Sequence, residues 1–307
     1  MQDAPATPEQ QIPVTRPAPV ATKLCKGCGS LLAQSLQDEG AELHPNCAER
    51  KLVFNQTAPE PGTEHPMRTH LIGLIKYSDR TSARSQQRAI GPSEIGGSCD
   101  RRLSMRISGL LPVNRTSDPW PAIVGTAMHD WLQRCMERDN RRLVAEGKPP
   151  RWITEKRVQA DQIIHGTSDV YDTVTQTVID WKSMGKTAEA RLIKDGPSDG
   201  YQVQINTYGL GFMRAGYPVK RVALMFLPRA GLLSSARYYE WPFEPAMAQA
   251  AIDRVYRVGR SLLQLRQEAG GNEVWDRVPA DVTALCGWCP FFLRGLPQAS
   301  SRGCPGK

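Results

Sequence analysis

The chain has 307 residues, 40% of them hydrophobic, and a formal net charge of +8, with a sequence pI near 9.1. This length predicts about two domains with a sizeable buried core, which excludes a lone small module, and the basic excess favours a polyanionic partner. No apolar run approaches the roughly 18 to 20 residues that cross a bilayer, and the best, 222–227, fits a buried strand, so no membrane partner is expected. The opening Met1-Gln2-Asp3-Ala4-Pro5 lacks the basic start and apolar core of a secretion signal. The eight cysteines are therefore expected in a reducing cytoplasm, where clustered cysteines point to metals before disulfides.

Residues 1–22, rich in Pro, Gln, Ala and Thr, read as a flexible tail. Residues 23–50 hold Cys25-x2-Cys28-x15-His44-x2-Cys47, two close pairs around a short loop. That spacing suits tetrahedral Zn²⁺ with three sulfurs and one nitrogen, and a module this small needs the metal for its stability. Residues 51–88 read as a basic linker ending in Arg80, Arg84 and Arg88, whose four-residue spacing gives one basic helical face. From 89 to 307, helical and strand patterns alternate as in one α/β or α+β domain. A helix is predicted over 125–139, with Met128, Leu132, Cys135 and Met136 as its apolar stripe and Cys135 as a small buried hydrophobe. Strands follow at 152–158, 163–172 and 177–183, then a helix at 201–215, strands at 219–227 and 234–241, and a helix at 244–267. Ile252, Val255, Leu262 and Leu263 supply the core face of that last helix.

The segment from Gly166 to Lys182 carries the chemistry. If Asp172 and Thr177 close a hairpin, the register sets Asp169 opposite Asp180 with Cβ atoms about 5 Å apart. Two facing carboxylates destabilise a sheet unless a cation intervenes, and Mg²⁺ or Mn²⁺ suits oxygen ligands. Alternation puts Lys182 on the face of Asp180 and Trp181 on the other. Carboxylates, a metal and an ammonium group together suit phosphodiester hydrolysis. Glu155 on the preceding strand and His165, which shares parity with Asp169, are further candidates for the same metal.

These pieces are similar to the PD-(D/E)xK nucleases of the RecB type, in particular the iron–sulfur RecB-like exonucleases associated with CRISPR systems and also found in phages. Gly125-Thr126-Ala127-Met128-His129 resembles the family's G-x-x-x-H helix and Gly166-Thr167-Ser168-Asp169 its G-x-x-D strand. Asp180-Trp181-Lys182 resembles its D/E-x-K strand, and Gln204-Ile205-Asn206-Thr207-Tyr208 its Q-x-x-x-Y helix. The resemblance covers roughly 89–307. It implies a restriction-endonuclease-like core, a mixed central sheet flanked by helices. It also implies a metal-dependent DNA exonuclease acting on single strands or ends in replication, recombination or repair, alongside proteins of those processes. On this resemblance His129, Asp169 and Asp180 are metal ligands, joined by the Trp181 carbonyl. Lys182 is the catalytic lysine, and Gln204 with Tyr208 supports the site near DNA.

Cys286, Cys289 and Cys304, with the distant Cys99, resemble the family's [4Fe-4S] set, which clasps the two ends of the nuclease domain. Four thiolates also suit tetrahedral Zn²⁺, and the fourteen-residue interval before Cys304 exceeds the family's short spacing. Arg101, Arg102 and Arg106, then Arg141, Arg142 and Arg151, and the linker arginines could neutralise phosphates without reading sequence, the alternative for each being a solvated surface charge. Two other functions stay open: a noncatalytic DNA-binding or recombination accessory protein on the same fold, and an RNA-directed nuclease.

Overall fold

The computed structural model describes residue 26 and residues 66–82, 90–114, 118–281 and 286–306. The chain divides into two units, Met1–His70 and Leu71–Lys307. A single five-stranded sheet organises the second. Its strands are β1 (Trp152–Gln159), β2 (His165–Asp172), β3 (Thr177–Met184), β4 (Arg221–Pro228) and β5 (Arg237–Pro242), in the spatial order β1-β2-β3-β4-β5. The β3/β4 pair is parallel and the other three are antiparallel. Parallel neighbours need a long crossover, which the chain makes through two of its helices, given below.

The helices, in chain order, are α1 (Pro66–Thr81), α2 (Pro92–Ile95), α3 (Asp100–Ile107), α4 (Trp120–Ala145), α5 (Lys186–Asp195), α6 (Asp199–Arg214) and α7 (Pro245–Glu268). The crossover runs through α5 and α6. The apolar run of β4 forms a central strand, buried on both faces as such runs are in covered sheets. On one face Val170, Ile179, Trp181, Ala223 and Leu227 meet Met128, Leu132 and Met136 of α4. On the other, Tyr171, Val178, Val222, Leu224 and Phe226 meet Ile205, Tyr208 and Phe212 of α6. Helix α6 sits close because it carries glycine where it touches the sheet edge: a Cβ on Gly211 would lie 2.8 Å from Val158 Cγ2. Ile95 of α2, Leu103 of α3 and Leu210 of α6 join Ala248, Ile252, Val255 and Val258 of α7 in a further layer. The far end of α7 packs Leu262 against Met105, Val274, Trp275, Val278 and Phe291.

The elements depart from expectation in instructive places. Helix α4 extends beyond 125–139 at both ends, and α1 lies within the segment read as a linker, with none of its residues buried. The buried stripe of α7 is Ala248, Ala251, Ile252, Val255, Val258 and Leu262, which leaves Leu263, about 100° further round the helix, 60% exposed. Cys135 is partly exposed and outside the α4 cluster, because Leu132 and Met136 already fill the contact with the sheet. Among the described residues no helix is long and apolar enough to cross a membrane. The tail at 1–22 and the proposed zinc ligands Cys25, Cys28, His44 and Cys47 lie outside the described residues.

Candidate metal centre and active-site cleft

The β2/β3 ladder pairs Asp172 with Thr177, Tyr171 with Val178 and Val170 with Ile179. One step beyond, side chain replaces backbone: Asp169 Oδ2 accepts the Trp181 N–H at 2.7 Å. The β1/β2 ladder is interrupted at the same level. Thr154 pairs with Val170 and Lys156 with Ser168, while Glu155 between them holds φ at +46°. A non-glycine residue in that left-handed region is strained by about 1–3 kcal/mol. The interruptions open a gap in the sheet around the Asp169 carboxylate, and α4 delivers His129 to it, with Nδ1 3.1 Å from Asp169 Oδ1. Ligand atoms of His129, Glu155 and Asp169 lie within 4.8 Å of one another.

Asp180 and Lys182 stand beside this trio on the face covered by α6. Lys182 Nζ lies 2.7 Å from Asp180 Oδ2 and ion-pairs that buried oxygen. The ammonium donates to Gln204 Oε1 at 3.0 Å, Gln204 Nε2 donates to Asp180 Oδ1 at 3.3 Å, and the Tyr201 ring centroid is 5.1 Å from Nζ. Burial pushes the Asp180 carboxyl up to about 6; the Asp169 charge pushes the same way, and Lys182 opposes both. Burial, with Asp180 and Asp169 nearby, also raises the Tyr208 hydroxyl above its ordinary value, so it stays protonated as a donor.

His129, Asp169, Asp180, Lys182, Gln204 and Tyr208 thus line one cleft of about 650 Å³. Glu155 and His165 line it too, and Glu155 belongs to the trio while His165 does not. Trp181 contributes its backbone here, its indole being buried in the layer under α4. Glu155 was legible only as one candidate of two, because a glutamate gives no sign of the left-handed backbone that aims it.

Several arginines that could meet phosphates are engaged elsewhere. Arg101 donates to the carbonyls of Val278 and Asp276 at 2.9 and 3.1 Å, and Arg106 pairs with Glu94 at 2.7 Å. Arg142 is held by Asp139 and Glu146, and Arg151 by Asp172, each at 2.7 Å. Arg141 and Arg80 are exposed, while Arg84 and Arg88 lie outside the described residues.

Cys99, Cys286, Cys289 and Cys304, all free thiols, line a second cavity of about 570 Å³, as does Arg102. Cys99 caps α3, its sulfur accepting the Arg102 N–H at 3.4 Å, and Cys304 Sγ accepts the Gly306 N–H at 3.4 Å. Arg101 Nη1 lies 3.7 Å from Cys304 Sγ, and Asn114 Nδ2 ties the carbonyls of Gly287 and Cys289, each at 2.9 Å. Burial raises the Cys289 thiol, with Cys99 and Cys304 nearby adding to the effect.

No protein-family model and no curated protein matches the chain. Among solved structures it is similar to an alkaline exonuclease from Laribacter hongkongensis, at 11% identity and a TM-score of 0.34 over 61% of this chain and 96% of that one. The same exonuclease in complex with dAMP matches at 14% and 0.40 over 61% and 95%. A phage-related exonuclease from Haemophilus somnus 129PT matches at 12% and 0.32 over 59% and 96%.

Proposed function

We propose that the chain is a divalent-metal-dependent deoxyribonuclease, an exonuclease acting on single-stranded DNA or DNA ends in replication, recombination or repair. The reading rests on one observation, the cleft in which His129, Glu155, Asp169 and Asp180 gather beside Lys182. The donor set fits Mg²⁺ or Mn²⁺: carboxylate oxygens predominate, and a single imidazole is tolerated by Mn²⁺. His129, Glu155, Asp169, Asp180 and the Trp181 carbonyl are the groups that would hold the ion. When bound, it supplies Lewis-acid polarisation of the phosphate and acidifies water.

The chain's own groups do the rest. Gln204 uses both ends of its amide, one on Lys182 and one on Asp180, and so fixes the ammonium against the carboxylate. Lys182 then offers a positive charge to the attacking water and to the negative charge that builds on the phosphate oxygens. Tyr208 adds a neutral hydroxyl donor at the cleft wall. The test is nucleotide release from end-labelled DNA with Mg²⁺ or Mn²⁺. Wild type should be active, and Asp180→Ala and Lys182→Ala should each lose at least a hundredfold while keeping their circular dichroism. A folded but inactive wild type favours the accessory-protein reading, and faster cleavage of matched RNA reassigns the substrate.

In the same reading Cys99, Cys286, Cys289 and Cys304 hold a structural [4Fe-4S] cluster. Four free sulfurs sharing one cavity, N–H donors to two of them, and the Arg101 and Arg102 cations suit an anionic thiolate-bound group. Zinc is assigned to Cys25, Cys28, His44 and Cys47, so Cys25→Ala should lower zinc and leave iron intact.

A further inference from the structure

The outer side of α4 carries a pattern that the cleft does not use. At 100° per residue Trp120, Ala127, Trp131, Arg134, Arg138 and Arg141 fall in one stripe, with His129 on the opposite side. All six are exposed, and the two indoles are 57% and 56% accessible although the inner face of α4 already has its full apolar set. Its six members include no acidic residue; Asp130 and Glu137 lie on the flank, one turn before Arg134 and Arg141, and Glu137 accepts from Gln133 Nε2 at 2.8 Å. Arg142, one position on, is locked by Asp139 and Glu146, whereas among the described residues Arg134, Arg138 and Arg141 have no ion pair or side-chain hydrogen bond. Two flat apolar rings about 16 Å apart, continued by three guanidinium groups outside any ion pair among the described residues, complement a ligand that alternates flat faces with negative charge. Single-stranded nucleic acid has that character; a duplex keeps its base faces stacked inside, and an acidic protein surface offers nothing for the rings to stack on. The stripe also runs beside the cleft, since Thr126 and Asp130, which line the cleft, each immediately precede one of its members.

We infer that the outer face of α4 is a second contact for single-stranded DNA, with bases stacked on Trp120 and Trp131 and phosphates paired with Arg134, Arg138 and Arg141. DNA as the ligand rests on the nuclease reading; the stripe itself does not. The contact would hold the strand alongside the site that cuts it.

Binding of a fluorescently labelled dT30 to the full chain, in EDTA so that nothing is cleaved, tests this over a series of salt concentrations. Trp120→Ala/Trp131→Ala and Arg134→Ala/Arg138→Ala/Arg141→Ala should each raise Kd at least tenfold. The arginine variant should also reduce the slope of log affinity against log salt by about 2, as expected for three phosphates on a single strand. Mn²⁺ affinity should not change. The inference is overturned if both variants bind dT30 within twofold of wild type, if duplex DNA loses affinity equally, or if wild type is a dimer that the tryptophan variant splits. A wild type that binds dT30 through the stripe yet hydrolyses no DNA would sink the nuclease reading alone.

Discussion

Asp180 is the residue on which burial and charge compete most sharply. Its carboxyl is pushed up to about 6, first by burial and then by Asp169, although Lys182 lies against it. A carboxyl raised in the folded state contributes stability that is fully present below its unfolded value, near 4, and is lost as pH rises through the folded value. Metal-free protein should therefore lose stability between about pH 4 and pH 6 more steeply than Asp180→Asn, and thermal melts of the two in EDTA measure the difference. Glu155 shows the complementary trade. Its left-handed backbone is tolerated because the carboxylate it delivers joins His129 and Asp169. Glu155→Gly should melt no lower than wild type in EDTA, yet bind Mn²⁺ at least tenfold more weakly by calorimetry. Lys182 and Asp180 were legible because a period-two strand fixes their shared face. Glu155 was not placed, since alternation assumes a regular backbone and its own breaks that rule. The partners of the paired arginines were not legible for a related reason: Arg101 and Arg151 meet Val278 and Asp172, which no local pattern reveals.

At the scale of elements, the β2–β3 hairpin is held by a knot at its turn. Arg151 donates two bonds to Asp172, at 2.8 and 2.7 Å, and Thr175 and the Val174 N–H add theirs. Burial pushes the Asp172 carboxyl up, but these donors outweigh it and leave the group below its ordinary value. Its contribution is present above the unfolded value and fades as pH falls through the folded one. Asp172→Ala should cost about 2 kcal/mol in urea unfolding at pH 7, less than for a fully buried pair because Arg151 is partly exposed. The hairpin register was readable from Val170, Tyr171, Val178 and Ile179 around a polar turn. Helices α2, α3 and α5 were not, because segments of ten residues or fewer owe their helicity to what they pack against. Helix α2 meets α6 through bare backbone, where a Cβ on Gly96 would fall 2.5 Å from the Gly200 carbonyl oxygen. Gly96→Ala should therefore destabilise by about 1–3 kcal/mol in the same assay.

On the scale of the whole domain, residues distant in sequence meet at two cavities. Cys99 and the C-terminal cysteines share one, and α4, β1, β2 and β3 deliver His129, Glu155, Asp169, Asp180 and Lys182 to the other, with Gln204 arriving from α6. The order of the short motifs made the second cavity legible. The first was legible through resemblance alone, since spacing says nothing about a cysteine nearly two hundred residues from its partners. If the cysteines hold an iron–sulfur clasp, Cys286→Ala should lose iron and sulfide together and melt earlier, while Mn²⁺ binding at the cleft persists in the folded fraction. The account as a whole turns on whether the gathered side chains grip a divalent ion. Mn²⁺ titration of the full chain, followed by paramagnetic resonance, answers this most directly: wild type and Lys182→Ala should bind at the cleft, and Asp169→Ala should not. Manganese binding that Asp169→Ala leaves unchanged would contradict the account.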